Sequence, residues 1–151
     1  MARVNVGCNP LHLADQHLIA ESVEITMIVG SLRKNGYCIK GDCPDVYKLG
    51  KGHINFFKKR LKYLARRLEA VNKEMIRREF KPGTTTECLE IAPREFQNDW
   101  QPTIEDSMIV RNRIVEKMIK KPEGFWRYEG ELIADVTVFS RKLLQSNLYV
   151  I

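Results

Sequence analysis

With 151 residues and 25 Lys plus Arg set against 19 Asp plus Glu, a formal net charge of +6, the chain is long enough for one domain that buries roughly two-thirds of its unfolded surface. No run of about 18 apolar residues occurs, which excludes a membrane-spanning helix, and the opening MARVNVGCNP lacks the pattern of a secretory signal. The positive charge is clustered, which leaves open a solvated surface or a polyanionic partner.

Residues 1 to 8 read as a short extended lead-in. Ala2 is small, so Met1 is a good substrate for methionine aminopeptidase and the mature chain is expected to start at Ala2. An α-amino group has a pKa of about 7.7–8.0, against about 10.4 for lysine, so part of it is neutral and nucleophilic at physiological pH. Arg3 beside it depresses that pKa further by charge repulsion.

Asn9-Pro10 is a helix-start signal, a capping side chain followed by proline at the position where its missing N–H costs nothing. It predicts a helix over Leu11 to Lys34, with Leu11, Ala14, Leu18, Ile25, Ile28 and Leu32 as the buried stripe. His17, Glu21 and Glu24 fall at i, i+4 and i+7 and share another face. An imidazole and two carboxylates beside a buried stripe mark a candidate site.

Asn35 to Gly52 is rich in glycine and reads as loop. Its Cys38 and Cys43 form at most half a zinc site, with no second pair, so the four cysteines read as reduced thiols of an intracellular protein. The run LGKGHINFF allows backbone to approach a ligand closely around His53, but lacks the GK[ST] ending of a Walker loop. A second helix is predicted from about His53 to Phe80. Its seam is Ile54, Phe57, Leu61, Leu64, Leu68, Val71 and Met75, and Lys58, Lys59, Arg60, Lys62, Arg66 and Arg67 lie on the remaining faces. Those cations are either a solvated face or a phosphate-facing one.

Lys81-Pro82-Gly83 ends that pattern, and a polar stretch follows, with a helical turn at Pro93 to Phe96. Thr103 opens a third helix to about Lys121, with Ile109, Ile114 and Met118 as core points and Arg113 and Lys117 as a basic i, i+4 pair. The run Gly124-Phe125-Trp126-Arg127-Tyr128 interleaves aromatic and basic side chains, which suits either tail packing or stacking on the bases of distorted nucleic acid. Residues 131–151 mix β-branched and helical residues and are left unassigned, an extension of a domain spanning 1–130.

Several of these pieces coincide with one pattern. The opening Arg-Val-Asn, LADQHLIAE with Glu24 beyond it, and Arg33-Lys34 resemble the start of the phage pyrimidine-dimer DNA glycosylases, the UV-repair endonuclease V type. LGKGHINFF resembles that family's LGxGHVxFF signature. TTT, PREF, Asp99-Trp100, Arg113-Ile-Val-Glu-Lys117 and the aromatic-basic run to Gly130 follow in the same order.

The resemblance implies an all-α fold: one compact domain of three main helices, with the N-terminal segment threaded into the active site. It implies a glycosylase with AP-lyase activity in DNA repair. The amine of Ala2 would attack the sugar C1′ and form an imine, assisted by Glu24. Arg3, Gln16, His17, Lys34, His53, Arg113, Lys117, Trp126, Arg127 and Tyr128 would contact the lesion or the backbone. The expected partner is damaged or modified double-stranded DNA. No cofactor, metal or membrane is expected, and the protein is expected to be a cytoplasmic monomer, in a virus-infected host cell if the phage origin carries over.

The sequence departs from the pattern at the residue before the catalytic glutamate and three residues after it, where arginines give way to Val23 and Met27. It departs also at Ala2, where the family carries threonine, and by one residue inserted near Gly7 to Pro10. The apolar pair favours a second reading, glycosidic-bond chemistry on another base or a nucleotide-like small molecule. A non-catalytic nucleic-acid-binding module is a third. Metal-dependent hydrolysis through His17, Glu21, Glu24 and His53 ranks below all of these.

Overall fold

The computed structural model describes residues 3–151. Its helices are α1 (Asp15–Lys34), α2 (His53–Lys58), α3 (Leu61–Arg77), α4 (Glu87–Glu90), α5 (Ile104–Lys120) and α6 (Val136–Gln145). Between α5 and α6 a small antiparallel hairpin pairs β1 (Arg127–Tyr128) with β2 (Glu131–Leu132). The fold is therefore all-α, one domain built on the long helices α1, α3 and α5, as expected. No helix among the described residues is long and apolar enough to cross a membrane.

The first helix starts later than the sequence suggests. Asn9 does cap, accepting a hydrogen bond from the Leu11 N–H at 3.0 Å, but it caps only a separate 3-10 turn over Pro10–His12. Leu13 and Ala14 are then extended, which buries Leu13 fully and restarts the chain as α1 at Asp15. Leu11 consequently leaves the predicted stripe and is 41 % exposed, while Leu18, Ile25, Ile28 and Leu32 bury as expected. α1 ends in a Schellman closure: Gly36 N–H donates to the Arg33 carbonyl and Tyr37 N–H to that of Leu32.

The predicted second helix is two helices. Lys59 and Arg60 leave helical geometry, and Arg60 instead pairs with Gln97, donates to the Phe56 carbonyl at 2.6 Å and lays its guanidinium 3.8 Å over the Phe56 ring. The seam itself holds, with Phe57, Leu61, Leu64, Leu68, Val71 and Met75 buried. α3 packs on α1 and stops at Arg77, short of Phe80. Glu79 takes a left-handed φ of 65° so that the Phe80 N–H can reach the Met75 carbonyl at 2.9 Å.

Thr103 opens α5 through a capping box with Asp106. The inward face is Ser107, Val110, Arg111, Ile114 and Met118; Ile109 breaks that spacing and is 43 % exposed, against expectation. The stretch left unassigned becomes β2, α6 and a tail. The hairpin spans the expected boundary at Gly130, with Arg127 opposite Leu132. α6 packs on α5 through the buried Leu143.

Candidate active site

The site is built where the start of the chain runs beneath α1. Residues 4–8 are all buried, so this short strip runs through the core, with a turn at Val6-Gly7 closed by the Cys8 N–H on the Asn5 carbonyl at 3.2 Å. Two carboxylates of α1 hold this strip. The Arg3 N–H donates to Glu24 Oε2 at 2.7 Å. The Asn5 N–H and Nδ2 donate to Glu21 at 3.0 and 2.9 Å.

Glu21 is closed off by Arg67 of α3, whose Nε and Nη2 meet both carboxylate oxygens at 2.8 and 2.9 Å while Nη1 donates to the Cys8 carbonyl at 2.6 Å. Burial opposes charge on Arg67, and the bidentate carboxylate outweighs it, so the guanidinium pKa is raised. Two expectations change here. Glu21 is a buried anchor of the N-terminal strip, and Arg67 is its counter-ion and no part of a phosphate-facing surface.

Other cations of that predicted surface are also committed: Arg66 pairs with Asp99 at 2.5 Å, Lys58 is buried, and Arg60 covers Phe56.

Around Glu24 the structure gathers Arg3, Asn5, His17, Arg113 and Lys117 on a cleft of about 70 Å³. A second cleft of about 310 Å³ adjoins it, lined by Arg3, Leu49, Gly50, His53 and Arg113. Burial pushes the Glu24 carboxyl above its ordinary range, countered in part by the Arg3 amide and the charges of Arg3 and Lys117. Burial lowers the pKa of Lys117, helped by Arg3 and Arg113. His17 is pushed down to about 4, first by burial and then by Lys117 and Arg3. It is therefore a neutral imidazole, stacked on Trp126 at 4.5 Å between ring centres.

His53 is fully buried. Its Nδ1 donates to the Lys48 carbonyl at 3.1 Å, which fixes the tautomer, and burial lowers its pKa. These groups can hold a polyanionic strand against a carboxylate in a sheltered cleft.

The remaining expected contact residues divide. Trp126 is buried, with its indole N–H on the Met118 carbonyl at 3.0 Å and its ring against that of His17. Gln16 is spent on the chain: Nε2 donates to the Phe125 carbonyl at 2.5 Å and Oε1 accepts from Arg127 N–H at 3.1 Å. Tyr128 donates to the Leu11 carbonyl at 2.9 Å beneath the Arg78 guanidinium. Arg127 is exposed on the hairpin. Lys34 is exposed at the far end of α1, about 15 Å beyond Glu24 by helical rise, and lines neither cleft.

Among the described residues no His, Cys, Asp and Glu side chains gather into a metal-binding group. Ala2 lies outside the described residues.

Sequence reading missed Asn5, Arg67 and Arg111, each a buried polar group whose partner is distant in the chain. The model of the pyrimidine dimer DNA glycosylase family matches residues 1–87. That match takes in the N-terminal strip, the Glu24 helix and the loop around His53, and it covers more than half of the 151 residues: the chain belongs to the pyrimidine dimer DNA glycosylase family.

Proposed function

We propose that this DNA glycosylase acts on damaged or modified bases in double-stranded DNA and is also an AP lyase, with the α-amine of Ala2 as nucleophile once Met1 is removed. The observation that carries this reading is the 2.7 Å hydrogen bond from the Arg3 amide to the Glu24 carboxylate. Ala2 is covalently next to Arg3, and consecutive Cα atoms are about 3.8 Å apart, so a free amine on Ala2 stays within reach of that carboxylate.

In the first step the neutral amine forms a bond to C1′ as the glycosidic bond breaks and the base leaves with the bonding electrons and a proton. The nitrogen gives up both its protons, one to the departing base and one to O4′ as the sugar ring opens, which leaves the imine. Glu24 then takes a proton from C2′, and the electrons expel the 3′ phosphate by β-elimination. Water hydrolyses the imine and returns the amine. Arg3, Arg113 and Lys117 line the cleft of Glu24 and would hold backbone phosphates, and their charge favours the neutral amine.

Borohydride trapping on abasic-site duplex, with intact mass of the product and of the free N-terminus, tests this. A covalent adduct on a chain beginning at Ala2 is expected. Absence of any adduct, with Ala2 confirmed as the N-terminus, would sink the amine mechanism and leave a binding module or a different glycosidic substrate.

One observation favours a shifted substrate. Val23 and Met27 are apolar side chains 49 % and 56 % exposed on α1, one residue before and three after Glu24, and neither lines the two clefts. Recognition there is by apolar contact and not by charge, which favours another base over the thymine dimer.

A further inference from the structure

The two ends of the described chain are fastened to each other, and the fastening point lies on the strip that leads to Glu24. The Gly7 carbonyl accepts from the Tyr149 N–H at 3.0 Å and from Arg111 Nη2 at 3.0 Å. The same guanidinium, fully buried on α5, donates to the Ser146 carbonyl at 2.6 Å, the Asn147 carbonyl at 3.0 Å and Ser107 Oγ at 2.9 Å. Arg66 holds the Ile151 carbonyl.

Gly7 has a left-handed φ of 67°, and a Cβ there would lie 2.6 Å from Leu148 Cδ1 and 2.7 Å from Ser107. The tail thus packs directly on glycine backbone. From Gly7 the strip runs through buried Val6, Asn5 and Val4 to the Arg3–Glu24 bond. Every residue from Val4 to Cys8 is buried and the Cys8 N–H closes a turn on the Asn5 carbonyl at 3.2 Å, so the strip cannot slide without breaking buried contacts.

Resting on the reading of the Ala2 amine as nucleophile, we propose that residues 146–151 are a strap that sets the register of the N-terminal strip. Through Arg111 and Tyr149 its hold on Gly7 fixes how far the amine reaches toward Glu24. Arg111 and Tyr149 are positioning residues; neither lines the cleft. Stability alone does not require this arrangement. α6 already buries Leu143 against the body, whereas the strap bonds to the backbone of the strip and meets it at a residue where no side chain fits.

The test uses the full chain with Tyr149→Pro, which removes the strap's N–H together with the tyrosine ring, Tyr149→Ala, which removes the ring and keeps the N–H as its control, and Arg111→Lys, which cannot bridge the Gly7, Ser146 and Asn147 carbonyls together. Amide hydrogen exchange of residues 3–8 is measured alongside single-turnover cleavage of abasic-site duplex across pH, and DNA affinity. In Tyr149→Pro, exchange in the strip should rise while α1 and α3 stay protected. The turnover rate should fall by about tenfold to a hundredfold, the scale of a small misplacement of a reacting group. DNA affinity should hold, and the pH midpoint should move toward that of a free α-amine, about 7.7–8.0.

Unchanged exchange in the strip overturns the strap whatever the chemistry does. A smaller active fraction with unchanged rate and pH profile also overturns it, since the tail then only stabilises. Failure of the unsubstituted protein to form a borohydride adduct refutes the amine reading separately, and overturns the catalytic role of the strap with it. The exchange data would then still report whether the tail holds the strip.

Discussion

Glu24 and His17 sit about two turns apart on the same helix and are tuned in opposite senses by burial. The raised carboxyl pKa of Glu24 means that the proposed proton abstraction should fail on the acid side earlier than an ordinary carboxylate would dictate. Glu24→Gln should abolish strand cleavage while leaving DNA affinity within about twofold; if it instead unfolds the protein, the carboxylate is structural.

His17 makes a stability statement. Its pKa is about 4 when folded against 6.5 unfolded, so the unfolded state binds the proton first as pH falls. The contribution is full above pH 6.5 and is lost down to about 4, on the order of 3 kcal/mol. His17→Phe keeps a ring against Trp126 and removes the titration. Its melting temperature should therefore change less between pH 7 and 4 than that of the unsubstituted protein.

Among the elements, the contact between α1, α3 and the N-terminal strip is the most exacting, because it closes around a buried ion pair. Arg67→Met would leave Glu21 charged and unpaired in the core and should cost about 3–5 kcal/mol in urea unfolding. At the end of α3, Glu79 adopts a left-handed φ of 65°, which strains any residue with a Cβ; Glu79→Gly should stabilise by about 1 kcal/mol.

On the outer face of α1, Val23 and Met27 are expected to limit cleavage of thymine-dimer duplex relative to abasic-site duplex. Val23→Arg with Met27→Arg should raise dimer cleavage. Equal activity of the unsubstituted protein on both duplexes would refute the substrate shift.

For the whole molecule, the net charge of +6 does not act as a uniform coat. Several cations are consumed internally, and those lining the clefts are Arg3, Lys117 and Arg113, the last 3.7 Å from Glu116. DNA affinity should fall with salt at a log–log slope of about −0.9 per phosphate neutralised, and Lys117→Ala should reduce that slope by about one unit. A flat salt response would count against a DNA substrate.

The sequence by itself determined the helices with strong periodicity, the seam of α3, the start of α5 at Thr103, the shared helix face of His17 with Glu24 and that of Arg113 with Lys117. Each of these is a local pattern, set by spacing along one helix or by residues adjacent in the chain. Only the tertiary structure decided which polar side chains are free. Glu21 looks equivalent to Glu24 in spacing, yet Arg67, distant in the chain, removes it from the site. Gln16, Trp126 and Tyr128 look like a binding surface and are consumed by backbone partners. Arg60 breaks a continuous helical pattern because Gln97 and Phe56 offer it better partners than another helical turn. The tail, with no periodicity to read, is ordered by the Arg111 and Gly7 carbonyl bonds. Burial and pairing are properties of what lies across the fold, and a one-dimensional pattern specifies only which side chains must bury, not which partner each buried charge will meet.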